Sequence, residues 1–492
     1  MRQNRHGERR FWRLFGRFSV VLFACSVMLH AETFNEFRKN QLQAYSKFKD
    51  ERDKAFEKYL KTQWEAYKKF VSPALYEKPK PVTIPKAEPK PVPKVGPKVL
   101  IKVPKKVTPP QPKLPKEVAA KHPQQVMKNA TALNINFFGT ALHIYVAKQI
   151  QKAKFYPTNQ KGITNYFDTV ATADYNSLIK QIKEIKKSMQ LNDWGVYLLV
   201  DAIGKKLYKY DDEANLFSWF VFNKLGYAVK VGLANGRVVT MFYSKRIIYS
   251  TPNFKFGSKR FYVLSLRNQS APTSVYSYKQ NYPGATKAFD LSLAKLPAFA
   301  PVYKTKHLRF THENKKYEVS YKYNQNLIDF FATYPQADYA AFFNAAVDPV
   351  TYASIAASLR KYINDKRAAE AMNIVLHFVQ TAFAYETDQK QFGREKVMFA
   401  EETLYYKASD CEDRAVLYAF LTKELFSVPV LGVKYPNHMA TALYVPLNGD
   451  KIKVKGKEFV IADPTYIHAT IGEAMPQFKG KMPEDFIFVS IR

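Results

Sequence analysis

The sequence predicts an α+β protein whose globular part is a duplicated domain, preceded by a long helix and a Pro/Lys-rich linker. Two observations carry this. From residue 124 onward, apolar helical runs end in short strand-like runs, and the same succession returns roughly 200 residues later. Before residue 124 the chain has no composition for a core: an 11-residue repeat is followed by a Pro/Lys tract. A chain of 492 residues suits two or three domains rather than one core. Lys plus Arg number 76 against 42 acidic residues, a net charge of +34. That charge admits nucleic acid, anionic membrane and cell-wall polymer as partners without choosing among them. Two cysteines, Cys25 and Cys411, exclude a disulfide scaffold, and no apolar run of membrane-spanning length marks a multi-span protein.

Residues 1–31 have the layout of a secretory signal peptide. An Arg-rich stretch to Arg17 precedes the apolar run Phe18–Leu29, and Ala31 supplies the small residue at the cut. An uncleaved N-terminal anchor and a lipoprotein signal ending at Cys25 are the alternatives. The expected location is therefore the periplasm or cell envelope of a bacterium, with membrane anchoring open. Cleavage after Ala31 leaves one thiol, Cys411.

Residues 32–71 should form an amphipathic helix. Phe34, Tyr45, Phe56 and Tyr67 hold one position of the 11-residue repeat; Phe37, Phe48, Tyr59 and Phe70 hold another. Eleven residues make three turns, so one aromatic stripe runs along the helix. The stripe needs a cover. A homo-oligomer through residues 34–70 is the first expectation; a membrane surface and back-packing on the chain itself are the others.

Residues 72–123 form the linker. Between 77 and 123 stand 13 Pro, 12 Lys and 3 Glu. Such proline density forbids helix and leaves extended polyproline II, roughly 145 Å if fully stretched. The segment is read as a solvated spacer, or as one that grips an anionic envelope polymer. Its lysines are not interleaved with aromatics, and with export this argues against nucleic acid as a partner.

The first copy covers 124–270, a β-rich connector 271–325, and the second copy 326–492. INFFGTAL (135–142) echoes LIDFFATY (327–334). DDEANLFSWFVFNKLGYAVKVG resembles CEDRAVLYAFLTKELFSVPVLGV, and strand-like runs at 236–243 and 259–266 echo 437–444 and 457–464. Generic α/β patterning is the competing explanation. RFTHENKKYEVSYKY reads as a hairpin turning at Glu313–Lys315.

The second copy holds three residues in chemical order. Cys411 opens an apolar helix behind Ser409 and Glu412, a capping-box pattern. In the first turn, backbone N–H groups and the helix dipole favour a thiolate and can hold an oxyanion. His438 begins the strand-like run to Tyr444, where a strand end can aim an imidazole at the thiol. Asp463 ends the run Phe459–Ala462 and can orient the imidazole. Taken singly, each has an ordinary structural explanation: a buried Cys, a loop His, a turn Asp before Pro.

The stretches SDCEDRA (409–415), YPNHMATAL (435–443) and IADPTY (461–466) resemble the transglutaminase-like superfamily of papain-like cysteine enzymes, over about residues 350–475. The resemblance implies a Cys-bearing helix packed on an antiparallel sheet that carries the His and Asp. It implies Cys411 as nucleophile, His438 as base and then acid, and Asp463 as orienter. Members crosslink proteins, act as peptidases, amidases or deamidases, or have lost activity. Gln380 or Tyr385 could add an oxyanion donor, as polar side chains do in the superfamily. His468 ranks second to His438. In the first copy the matching positions are Asp211, Arg237 and Ser265, which carry no such chemistry.

The expected function is that of an exported cysteine hydrolase or acyltransferase acting on amide bonds of a protein or peptide, through a thioester. A non-catalytic envelope scaffold or binding protein with an inactive fold is the alternative. No calcium loop or zinc-ligand cluster is evident, and the chemistry requires no metal or other cofactor.

Overall fold

The computed structural model describes residues 51–76, 78–104, 107, 129–264 and 271–490. The signal-like segment, the repeat before residue 51, most of 105–128 and Ser265 lie outside the described residues. The chain divides into a unit ending at Gln63 and a unit from Trp64 onward. Residues 51–62 of the first unit are helical. No helix among the described residues is long and apolar enough to cross a membrane.

The architecture is α+β. Strand β1 (Glu65–Lys68) precedes the hairpin of β2 (Ala130–Phe137) and β3 (Thr140–Ala147) that opens the first half. Helices α1 (Lys148–Lys152), α2 (Gln160–Ala171), α3 (Tyr175–Ser188), α4 (Asp193–Leu207) and α5 (Asp211–Lys224) follow. Strands β4 (Val229–Ala234), β5 (Arg237–Tyr243), β6 (Asn253–Phe256), β7 (Lys259–Val263) and β8 (Ser274–Ser277) then form an antiparallel sheet, closed at one side by β1 (Glu65–Lys68). Its order is β1-β8-β4-β5-β7-β6.

The second half repeats the succession. A hairpin of β9 (Tyr303–His312) and β10 (Lys315–Asn324) turns at Glu313–Asn314, both with positive φ. Next come α6 (Gln325–Ala332), α7 (Tyr339–Phe343), α8 (Pro349–Ile363) and α9 (Ala368–Thr381). The short parallel pair β11 (Ala384–Tyr385) and β12 (Ala408–Ser409) flanks α10 (Asp388–Phe392) and α11 (Ala400–Tyr405). Helix α12 (Cys411–Phe426) leads into β13 (Val430–Tyr435), β14 (His438–Leu443), β15 (Lys451–Val454), β16 (Lys457–Ala462) and β17 (Asp485–Phe488). These make an antiparallel sheet of order β15-β16-β14-β13-β17. Reading outward from the helix that feeds each sheet, β8-β4-β5-β7-β6 and β17-β13-β14-β16-β15 are the same arrangement.

Helix α12 is buried nearly all round because both its faces are covered, and the positions beyond its first turn are mostly apolar: Val416, Leu417, Tyr418, Ala419 and Leu421 are all buried. One face of the second sheet packs Leu431, Val433, Ala440, Ala442, Phe459 and Ile461 with Tyr466, Met475 and Phe478. That layer positions His438 and Asp463.

Three expectations differ from the structure. The 135–142 stretch is a hairpin, whereas 327–334 lies mainly in a helix. Alternation in ATALNINF and the positive φ of Gly139 (+77°) win over the shared FF. The counterpart of β2–β3 is β9–β10, so the connector's hairpin belongs with the second half: Thr311 N–H bonds Thr381 Oγ1 and Ser320 N–H bonds Ser358 Oγ on its helices.

The helical repeat does not reach residue 71. The helix ends at 62, and Glu65–Lys68 pairs with Ser274–Ser277. Aromatic side chains at this spacing serve an edge strand too: Tyr67 packs on Phe256 at 4.2 Å and Trp64 on Tyr278 at 5.4 Å.

The linker is not a free spacer over 78–104. Ala87, Val92 and Ile101 are buried, and backbone N–H groups find partners: Ala87 on Ile467 O (2.8 Å), Val99 on Lys366 O (2.9 Å). The apolar residues between the prolines have surface to bury, and a polyproline-like backbone leaves its polar groups free to bond a neighbour.

Candidate active site

The site is built where α12 begins, where β14 begins and where β16 ends. Asp410 caps α12, with Asp413 reaching back to its N–H at 3.2 Å. The cap is one residue later than the Ser409/Glu412 pattern. Ser409 instead lies in β12 and accepts from Arg414 Nε at 3.1 Å. Cys411 is thus the first residue of the helix, and its side chain is buried.

His438 and Asp463 meet. His438 Nε2 and Asp463 Oδ2 are 2.8 Å apart, both buried, on adjoining strands. Asp463 is fixed by its other oxygen, which accepts from Thr465 N–H (2.9 Å) and Tyr466 N–H (3.2 Å). The imidazole stacks on Phe478 at 5.0 Å and 7°. With Nε2 engaged by the carboxylate, Nδ1 is the nitrogen left to face a substrate or a thiol.

Cys411 does not hydrogen-bond His438. Among the described residues its thiol partners are Glu412 Oε2 at 3.1 Å and the Tyr76 hydroxyl at 3.8 Å. Burial, then the neighbouring Glu412 and Asp410 carboxyls, pushes the thiol well above its ordinary value. The helix dipole expected to favour a thiolate is outweighed here, because a sealed acidic setting disfavours a second negative charge.

Gln380 is no oxyanion donor in this arrangement. Its amide donates to Asp463 O (3.0 Å) and Ala469 O (3.1 Å), tying α9 to the turn that carries Asp463. Arg414 extends the brace, donating to Gln380 O (3.2 Å) and Phe383 O (2.9 Å). Tyr385 does bind a carbonyl, that of Pro81, at 2.8 Å. His468, in a left-handed backbone conformation after β16, joins neither His438 nor Cys411 in a hydrogen bond.

Lys80 was not legible as a site residue. Its ammonium is buried among Asp388 (2.8 Å), Glu412 (2.7 Å), Glu395 (3.1 Å) and Asp410. Burial, then Glu412, pushes Asp388 up to about 8 and Asp413 up to about 7. Burial is the largest influence on Glu412 and opposes its ionisation, but the Lys80 charge together with hydrogen bonds from Asp410, Lys80 and the backbone holds that carboxyl below its ordinary range. Glu412 is therefore the carboxylate that Lys80 meets at neutral pH. Oxygens of Asp388, Asp410 and Asp413 lie within 4.8 Å of one another, close enough for a cation, and the cation beside them is Lys80. Nothing in the Lys-Pro run separates Lys80 from its neighbours; the one local signal is the apolar pair Leu75–Tyr76 just before it.

The first half shows what replaces this chemistry. Asp211 opens α5 as Cys411 opens α12, and Arg237 opens β5 as His438 opens β14. Arg237 Nε pairs with Asp212 Oδ2 at 3.0 Å, joining the helix start to the strand start.

No family model matches the chain, and no curated protein or solved structure matches it either.

Proposed function

We propose that this chain is an exported cysteine hydrolase or acyltransferase of amide bonds, with a transglutaminase-like domain present twice and active once. The observation that carries the reading is the buried His438–Asp463 pair at 2.8 Å, on the sheet against which the Cys411 helix packs. The Arg237–Asp212 ion pair supports it, since it shows that a helix start and a strand start so connected come within contact.

Cys411 Sγ attacks the amide carbonyl carbon and its proton passes to His438 Nδ1. Asp463 stabilises the imidazolium. The leaving amine takes that proton as the C–N bond breaks, which leaves a thioester. Water, or a second amine, then gives a proton to His438 and attacks the thioester, and the thiol is regenerated. Water gives a peptidase or amidase; an amine gives a crosslinker. The backbone N–H groups at the start of α12 are the available oxyanion donors.

A non-catalytic scaffold is the second reading. It is favoured by one observation, the Cys411 thiol bonded to Glu412 rather than to His438.

The test is iodoacetamide labelling of Cys411 in the full chain from pH 6 to 10, read by peptide mass spectrometry. Labelling passes through local opening, so its pH profile reports the thiol of the opened site. An activated pair gives a midpoint below the free-thiol value of about 8.5, moved upward in His438→Ala. A midpoint at the free-thiol value in both proteins overturns the catalytic reading.

A further inference from the structure

Tyr76 and Lys78–Pro81 lie across the start of α12 as a bound peptide would. Three independent contacts hold them there. The Lys80 ammonium enters the acidic pocket of Asp388, Asp410 and Glu412. The Pro81 carbonyl accepts from the Tyr385 hydroxyl at 2.8 Å. The Tyr76 hydroxyl covers the Cys411 thiol at 3.8 Å and donates to Glu412 Oε2 at 3.2 Å. Lys434, at the end of β13, closes over the Tyr76 ring at 5.7 Å. Cys411 is left 1% exposed.

The geometry points to a peptide-binding cleft beside Cys411 whose ligand is an extended segment bearing a lysine, and which this chain fills with its own Tyr76 and Lys78–Pro81 as a displaceable plug. The chemistry selects that ligand. A compact ammonium is a point charge that four carboxyl groups, those of Asp388, Glu395, Asp410 and Glu412, can share, and the pocket is too enclosed for an unpaired charge. A prolyl carbonyl after the lysine meets a phenolic donor. Proline on both sides of Lys80 keeps the segment extended, so little ordering opposes its docking.

The binding half of this inference stands alone. The blocking half rests on the proposed role of Cys411.

The experiment uses the full chain and separates the two. The readout is the rate of Cys411 labelling at fixed pH, not the shape of its pH profile. Lys80→Gln is expected to label at least about tenfold faster than the unsubstituted chain, and Tyr385→Phe several-fold faster, as the plug opens more often. A synthetic peptide of residues 74–87 should slow labelling of Lys80→Gln again, and the same peptide with Gln at position 80 should not. Unchanged rates in both variants, or a peptide without effect, overturn the plug. Should Lys80→Gln not fold, the unsubstituted protein carries the test through hydrogen exchange. Amides of 78–101 should then open with the labelling rate while β13 and β14 stay protected; opening of all three together overturns the proposal. A fast variant with an ordinary thiol midpoint would keep the plug and remove the enzyme; a slow, plug-independent thiol with a low midpoint would do the reverse.

Discussion

Arg237 and His438 stand at the same point of two like-ordered sheets, each opening the second strand of a two-residue hairpin opposite Ala234 and Tyr435. One pairs with an acid on the preceding helix, Asp212; the other pairs with an acid just past the end of β16, Asp463. The change of partner is a change of job. An exposed guanidinium bonded to a helix start ties two elements together, whereas a buried imidazole held from behind presents its free nitrogen forward.

Arg237→Ala should therefore do little. Arg237 is half exposed, and such pairs contribute about 0–1 kcal/mol. Urea unfolding should move by less than about 1 kcal/mol, and Cys411 labelling should not change.

Asp463→Asn should keep the fold and lose the charge behind His438. The Thr465 and Tyr466 N–H groups still find an oxygen at position 463. The labelling midpoint of Cys411 should rise, in the same direction as in His438→Ala, because the imidazolium loses its counter-charge.

Gln380→Leu should cost about 2 kcal/mol or more of stability, since the buried Asp463 and Ala469 carbonyls lose their donor. It should also disturb the His438–Asp463 distance, visible as a shifted His438 ring signal in NMR spectra.

Lys80→Met should lower stability by about 3–5 kcal/mol, the cost of stranding buried carboxyls. Glu412→Gln in the same chain should return part of it, because Glu412 is the charged member at neutral pH. Denaturation midpoints of the four proteins in a double-mutant cycle measure the coupling.

A buried histidine pair should work against folding of the second half in acid. His312 and His377 face each other, Nδ1 to Nδ1, at 2.7 Å, with Glu313, Glu370, Lys366, His468 and Glu473 around them. Burial, then His312, holds His377 down at about 4. At His377 the unfolded chain therefore binds more protons than the folded one between about pH 6.5 and 4. His377 should therefore contribute a loss of stability as pH drops through that window, opposed by Asp388 and Asp413, whose raised carboxyls favour the folded state there; in a thermal melt series His377→Asn should lose less, or gain more, stability on acidification than the unsubstituted protein.

The α+β class, the helix that starts at Cys411 and the strands that carry His438 and Asp463 were all legible, because each is written in local periodicity and capping. The equivalence of INFFGTAL with LIDFFATY failed because a shared apolar pair does not set a period. Lys80 was hidden for a different reason. Its burial depends on acids more than 300 positions away, and no local pattern reports a distant counter-charge. The Glu412 contact to the thiol was hidden likewise, since sequence places Glu412 in the first turn without saying which way its carboxylate turns.

Lys80 also leaves the ribosome more than 300 residues before the carboxyls it neutralises. Closing so long a loop is unfavourable until its destination exists. The sheet of β13 to β17 and the start of α12 therefore form first, around an acidic hollow with no cation in it. At that stage the carboxyls of Asp388 and Asp413, already reluctant to ionise, hold their protons. Arrival of Lys80 is then the last event of assembly, and it draws the proton from Glu412, the carboxyl it helps to hold ionised, while Asp388 and Asp413 keep theirs. Refolding should accordingly show a slow closing phase that quickens as acidity falls, and a chain trimmed of its first 82 residues should lack that phase altogether.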